Sequence, residues 1–145
     1  SSAATIPVTL AQTQRNGVNP GLAAFVVPLC ATIHLAGSTL KIVACAVAVM
    51  WMADLPFTTG LFAGFILMLG ITMVAAPGVP GGAIMAALGL LQSMLGFDEV
   101  LQGLMIALYI TMDSFGTACN VTGDGAIAVV VDKIHARRHR GTVGS

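Results

Sequence analysis

Four polar side chains form a regular pattern in one of the most apolar parts of this sequence. They are spaced by four, three and four residues, which places all of them on one face of an α-helix: Asp113, Thr117, Asn120 and Asp124. Carboxylate and carbonyl oxygens are the ligands that hard cations prefer. Because a polar face is costly in apolar surroundings, we expect this stripe to face a cavity that holds ions or a polar solute.

A second set of polar residues has similar spacing. His34, Ser38 and Lys41 follow one another at intervals of four and three residues. Taken singly, His34 fits an ordinary buried histidine, and Lys41 fits a side chain that extends to the membrane surface. Ionisable residues inside a membrane are rare and usually functional, so both interpretations stay open. No serine–histidine or zinc-protease pattern accompanies His34, and the sequence does not predict an enzyme.

The composition is that of a membrane protein. The chain has 145 residues, of which 57% are hydrophobic and 8% charged, whereas a typical soluble domain is about 25% charged. Residues 16–40 and 55–97 contain no Asp, Glu, Lys or Arg. Since a bilayer needs roughly 20 apolar residues for each helical span, we predict an all-α integral membrane protein with several helical segments.

The three cysteines lie in apolar segments and have no metal-ligand or disulfide spacing. They are Cys30, Cys45 and Cys119. We expect them to be small buried residues, and we expect no cofactor.

The two ends of the chain differ in charge. Four of the six cationic residues lie in the last thirteen positions: Lys133, Arg137, Arg138 and Arg140. A basic segment after a final span points to the cytoplasmic side, so we predict a disordered cytoplasmic tail at 135–145 after a helix that ends near Ile134, and no nucleic-acid partner.

The first residues have neither an initiator Met nor the pattern of a signal peptide, and we expect a part of a longer protein.

Four segments follow from the positions of proline, glycine and polar residues. The predicted segments are a turn and short helix at 1–12, a helix at 20–53 broken near Gly37, a helical hairpin at 57–96 and a last helix at 98–134. A polar connection is predicted at 11–19. The hairpin tip at 76–82 has two prolines and three glycines in seven residues, which cannot continue a helix. At membrane depth its backbone groups would line a cavity; an ordinary loop between two spans stays open as the alternative.

Four motifs together resemble the dicarboxylate/amino acid:cation symporter family, which has the glutamate-transporter fold. They are SSAATIPVTL, FVVPLCATIHLAGST, GVPGG and TACNVTGDGAIAVVV. The resemblance covers the chain but only the C-terminal part of a family member, within 1–134. It implies re-entrant hairpins at 1–12 and 57–96, with the second as gate, a broken seventh helix, and an eighth helix. Two interrupted segments in comparable places are already known to mark the midplane site of this fold.

The resemblance implies substrate contacts from both tips, the broken helix and the last helix. Asp113 and Thr117 would bind a substrate ammonium, and Asn120 the α-carboxylate. Ser38 would lie near the substrate side chain. The implied substrate-binding set is Ser2, Ser38, Val79, Asp113, Gly116, Thr117 and Asn120.

The resemblance also implies cation sites. Asn120 and Asp124, with the backbone near Cys30, would bind Na⁺. Thr32 and carbonyl groups of the second hairpin tip would form another site. The coupling ion would be Na⁺ or H⁺.

Two departures from the family pattern bear on specificity. Gly116 replaces an arginine that binds the side-chain carboxylate of acidic substrates, which implies a neutral substrate. His34-Leu35-Ala36 replaces an asparagine–methionine–aspartate run that helps bind sodium. Lys41 is a candidate for a fixed positive charge or a substitute for the arginine, and His34 for a proton carrier, since histidine titrates near neutral pH.

We therefore predict a secondary active symporter for a small neutral amino acid, coupled to Na⁺ or H⁺, that works by alternating access. A dicarboxylate symporter with Lys41 as anion anchor is one alternative, and a channel or passive membrane subunit is another. The expected partners are the substrate, membrane lipid and, on resemblance alone, two further copies in a homotrimer. The expected location is the cytoplasmic membrane.

Overall fold

A computed structural model describes residues 1–142 of the chain, with side chains through Arg138. Every regular element in this part is an α-helix, as the sequence predicts. The helices are α1 (Ile6–Arg15), α2 (Pro20–Ile33), α3 (Ala36–Met52), α4 (Thr59–Ala75), α5 (Gly82–Leu95), α6 (Glu99–Thr111) and α7 (Asp113–Thr142).

Two helix starts have side-chain caps. The Asn19 side chain accepts hydrogen bonds from the amides of Gly21 (2.9 Å) and Leu22 (3.2 Å). The Asp98 side chain accepts one from the amide of Leu101, at 2.9 Å. The first N–H groups of a helix have no partner inside it, so these caps fix where α2 and α6 begin.

Both segments that carry a polar stripe are broken. The first break lies at His34–Leu35, close to the break predicted near Gly37, which is the second residue of α3. The segment 98–134, predicted as one helix, is interrupted at Met112. At the second break the ammonium of Lys41 donates hydrogen bonds to the carbonyls of Tyr109 (3.1 Å) and Met112 (3.4 Å).

The C-terminal helix is longer than predicted. α7 continues to Thr142, so the prediction of a helix end near Ile134 followed by disorder is wrong for 135–142. Lysine and arginine are good helix formers, and cations are favourable near a helix C-terminus. Residues 143–145 of the predicted tail lie outside the described residues.

The first helix also extends beyond its predicted end. α1 continues to Arg15, and only residues 16–19 connect it to α2, although a polar connection was expected at 11–19. The AQTQR stretch consists mainly of residues with good helix propensity. Arg15 is exposed, as a water-facing position requires.

Helix α7 packs against α1, α2, α3 and α6, while α4 and α5 form an antiparallel hairpin. The larger core lies between this hairpin, α3 and α6, and includes Ile42, Phe65, Leu91 and Met105. Large side chains stay exposed elsewhere, such as Leu67 on α4. Within the described part of the chain, two helical stretches, 20–52 and 113–138, are long and apolar enough to cross a membrane.

The cysteines do not share one environment. Cys30 and Cys45 are buried, as expected, but Cys119 is exposed and that expectation was wrong. Cys119 lies one residue before Asn120, so its side chain leaves α7 in a different direction from the buried asparagine.

The two non-helical tips meet. The hydroxyl of Ser1 donates a hydrogen bond to the carbonyl of Gly78 at 2.8 Å. The amide of Ala3 donates to the same carbonyl at 3.2 Å. The beginning of the chain and the hairpin tip at 76–81 therefore form one boundary of a common cleft.

Candidate substrate and cation site

A narrow cleft lies where the two tips, the α2–α3 break and the start of α7 come together. Six of the seven positions predicted to bind substrate line it: Ser2, Ser38, Val79, Asp113, Thr117 and Asn120. Gly116, the seventh, is not among the lining residues. The six come from distant parts of the chain. The sequence pattern placed only the last three on a common face.

Asn120 connects α7 to the start of α3. Its side-chain oxygen accepts hydrogen bonds from the amides of Gly37 (2.8 Å) and Ser38 (3.4 Å). Its amide nitrogen donates to the hydroxyls of Ser2 and Ser38, both at 3.2 Å. The side chain is buried. Asn120 thus satisfies free N–H groups at a helix start inside the protein as well as lining the cleft.

The approach of α3 to α7 requires glycine at position 37. A Cβ atom there would overlap the carbonyl oxygen of Gly116 and lie 2.6 Å from the Cβ of Cys119. These atoms belong to the α7 backbone and its first side-chain carbon, so they cannot move aside easily. Glycine lets the Gly37 amide reach Asn120.

Asp113 and Thr117 lie side by side in the wall of the cleft. The Asp113 side chain is 34% exposed. Residues four apart share one face of a helix, so the carboxylate and the hydroxyl offer two hydrogen-bond acceptors on the same side of α7.

Lys41 lies beneath the cleft and not in its wall. Its side chain is 3% exposed, and its ammonium is 3.5 Å from Oδ1 of Asp113. It also binds the two carbonyls at the α6–α7 break. The charge predicted to compensate for the glycine at position 116 is engaged within the protein.

Tyr109 is a residue of the cleft that the sequence analysis missed. Its hydroxyl donates a hydrogen bond to Oγ of Ser38 at 3.1 Å, and its ring centroid lies 3.4 Å from Nζ of Lys41. It is the one tyrosine of the sequence. A buried tyrosine usually has a hydrogen-bond partner, so its position in an apolar segment was an available signal.

A second polar pair lies further along α7. Asp124 is fully buried, and its Oδ1 is 2.9 Å from Nδ1 of His34. Its Oδ2 has no hydrogen-bond partner. The ring of His34 lies against Gly123, where a Cβ atom would overlap it. A buried carboxylate oxygen without a partner is costly, and it suits a bound cation.

The other predicted cation contacts have local partners. The hydroxyl of Thr32 is exposed and donates to the carbonyl of Leu29 at 2.8 Å, within its own helix. The carbonyl of Cys30 accepts from the amide of His34 at 2.8 Å. The hairpin tip does pass close by, since a Cβ on Gly78 would lie 3.6 Å from the Cα of Thr32.

The chain matches the model of the sodium:dicarboxylate symporter family over residues 1–134. It is 32% identical to the serine/threonine transporter SstT of Acinetobacter baumannii over 143 residues, which cover 91% of this chain and 34% of that protein. It is 30% identical to excitatory amino acid transporter 3 of Oryctolagus cuniculus over 135 residues, covering 92% of this chain and 26% of that protein.

The chain thus spans about a third or less of the length of these curated relatives. The family is one of membrane-integral transporters, which agrees with the predictions of a membrane protein, a transport role and no enzyme activity. The four motifs had indicated the same family. The match over 1–134 and the two relatives establish that this chain belongs to the sodium:dicarboxylate symporter family.

Proposed function

We propose that this chain carries the substrate and cation sites of a secondary active symporter that moves a small neutral amino acid together with Na⁺. The observation that carries the proposal is the composition of the cleft. Asp113 and Thr117 provide acceptors for an ammonium group, and no Lys or Arg side chain of the described residues lines the cleft.

The charges of the cleft favour a zwitterion. An acidic side chain of a substrate would lie near Asp113 without a cationic partner, since Lys41 is already bound to that carboxylate and to two carbonyls. Burying an unpaired charge is strongly unfavourable. A small hydroxylated or aliphatic side chain near Ser38 brings no such cost. The name of SstT, a serine/threonine transporter, supports this choice.

The dicarboxylate alternative requires Lys41 to reach the cleft. Its ammonium would have to break its contacts with Tyr109, Met112 and Asp113. The side chain is also buried beneath the cleft, which argues against this alternative. The channel alternative has no specific observation in its favour.

The proposed Na⁺ site is Oδ2 of Asp124, together with backbone oxygens near Cys30 and Asn120. The support is the buried, unpartnered oxygen. His34 takes Oδ1 of the same carboxylate. At the second implied cation site, the hydroxyl of Thr32 would have to leave the carbonyl of Leu29, to which it donates within α2.

The proposed gate is the α4–α5 hairpin. Its tip at 76–81 contacts Ser1 and Ala3 through the carbonyl of Gly78, which accepts both hydrogen bonds. The tip can separate from the beginning of the chain when these two bonds break. In this proposal the hairpins are re-entrant in the cytoplasmic membrane, the segment 135–145 faces the cytoplasm, and the complete protein is a homotrimer.

Thermal unfolding of the intact protein in detergent tests the function. A ligand that binds only the folded state raises stability by RT ln(1 + [L]/Kd). We expect L-serine to raise the unfolding temperature when Na⁺ is present but not when it is replaced by choline. Stabilisation by L-aspartate and not by L-serine would contradict a neutral substrate. Stabilisation by L-serine that is independent of Na⁺ and differs between pH 6 and pH 8 would assign the coupling to H⁺.

A further inference from the structure

Lys41 makes four contacts beneath the cleft. Its ammonium donates to the carbonyls of Tyr109 and Met112, lies over the Tyr109 ring and contacts Oδ1 of Asp113. These groups lie on both sides of the break between α6 and α7. A single buried cation therefore connects the C-terminal end of one helix to the first residue of the next.

The two oxygens of Asp113 have different surroundings. Oδ1 is 3.5 Å from the Lys41 ammonium below the cleft. Oδ2 faces the cleft, where it is 3.5 Å from the Ser1 nitrogen. The ion pair between Lys41 and Oδ1 restricts rotation of the carboxylate, so Oδ2 keeps one orientation in the cleft. A carboxylate held in this way loses less conformational freedom when a ligand arrives.

Gly116 leaves the space that the lysine needs. A Cβ atom at Gly116 would lie 3.0 Å from Nζ of Lys41 and 3.2 Å from its Cε. That distance is shorter than ordinary van der Waals contact. Any larger residue at position 116 would crowd the end of the Lys41 side chain, so the ammonium would have to shift by a few tenths of an ångström. The glycine and the lysine are therefore coupled in space.

We propose that Lys41 is a positioning residue that holds Asp113 for the substrate ammonium and so determines the preference for amino acids over their 2-hydroxy analogues. The inference rests on the proposed function, because it takes the ammonium to bind at Asp113. Lys41 acts through Asp113 and the α6–α7 joint. It does not touch the substrate.

The test compares binding of L-serine and L-glycerate, its hydroxy analogue, to the intact protein in Na⁺. In Lys41→Met the preference for L-serine should fall about tenfold, the equivalent of one charge-assisted hydrogen bond. A general loss of structure would weaken both ligands equally. An unchanged or increased preference overturns the inference, and an increase would mean that Lys41 competes with the ammonium.

A second variant leaves the lysine in place and keeps the test decisive if Lys41→Met fails to fold. Gly116→Ala should lower the same preference by a smaller factor, about threefold, because the ammonium must shift. Gly103→Ala is the matched control, since no atom lies within 4 Å of a Cβ there, and it should change nothing. In Lys41→Met, adding Gly116→Ala should have no further effect. Equal losses from Gly116→Ala in both backgrounds overturn the inference.

The failure of the proposed function has a different signature. If the unaltered protein binds neither L-serine nor another neutral amino acid, the proposed function is wrong whatever the variants do. If it binds L-serine better than L-glycerate and Lys41→Met retains that preference, the function stands and the positioning role is wrong.

Discussion

At the scale of single residues, three charged side chains in and near the cleft lie at different depths in the protein. Asp113 lies at the surface of the cleft, Lys41 lies below it, and Asp124 is fully buried further along α7. The first carboxylate is available to a ligand with an ammonium group. The last has one oxygen bound to His34 and one without a partner. Substitutions at the two aspartates should therefore affect different ligands.

Asp113→Asn should weaken amino-acid binding. The variant keeps the shape of the side chain but removes its charge, and a hydrogen bond to a charged group contributes about 1.5–3 kcal/mol. We expect at least a tenfold rise in the Kd of L-serine, measured by titration in the presence of Na⁺. Thr122→Val is a control on the exposed side of α7, and it should leave this Kd unchanged. An unchanged Kd in Asp113→Asn would place the ammonium elsewhere.

Asp124→Asn should remove the stabilisation by L-serine that depends on Na⁺. The variant deletes the negative charge of a buried carboxylate whose Oδ2 lacks a partner. We expect L-serine to leave the unfolding temperature of this variant unchanged in NaCl as well as in choline chloride, whereas the unaltered protein is stabilised in NaCl. Asp132→Asn is the matched control, since Asp132 accepts a hydrogen bond from the amide of Asn19 at 3.2 Å outside the cleft. Retained Na⁺ dependence in Asp124→Asn would exclude this carboxylate as the cation site.

At the scale of the helices, the two breaks contribute residues to the candidate site. α3 starts beside Asn120, and α7 starts with Asp113, so each break leaves backbone groups that neighbouring side chains must satisfy. Lys41 and Asn120 supply these partners from the opposite helix. The polar stripes are therefore both a lining for the cleft and a means of holding broken helices together.

Gly37→Ala should disrupt the contact between α3 and α7. The new methyl group would overlap the Gly116 carbonyl and crowd Cys119. Overpacking of this kind typically costs about 1–3 kcal/mol. We expect a lower unfolding temperature and loss of L-serine binding, measured by thermal unfolding in detergent.

Gly89→Ala provides the control for that substitution. No atom lies within 4 Å of a Cβ at this position of α5, so the variant should be neutral or slightly more stable, because alanine favours helix. Equal effects of Gly37→Ala and Gly89→Ala would contradict the close approach of α3 to α7.

At the scale of the whole molecule, opening of the α4–α5 hairpin should control access to the cleft. Val79 in the tip is 53% exposed. In a background with Cys119→Ser, Val79→Cys should react with a membrane-impermeant maleimide, and L-serine with Na⁺ should slow the reaction. Met85→Cys, on the exposed face of α5, is the control, and its reaction rate should be the same with and without ligand. A rate at Val79→Cys that ligand does not change would argue against the hairpin as gate.

Three features could be predicted from the sequence alone. They are the helical membrane character, the family, and the helix face shared by Asp113, Thr117, Asn120 and Asp124. These depend on composition, on local motifs and on the period of one helix, which are properties of neighbouring residues. The sequence also placed the hairpin tip correctly, because proline and glycine act locally.

The contacts that hold these helices together could be seen only in the folded structure. The partners of Lys41, the pairing of His34 with Asp124 and the role of Tyr109 depend on contacts between residues distant in the chain. The break at Met112 and the helical continuation to Thr142 were likewise missed. Residue type and spacing show that a side chain is able to form a hydrogen bond or an ion pair. The partner depends on how the helices pack, because a buried polar group must form its hydrogen bonds with the groups that lie beside it in the fold.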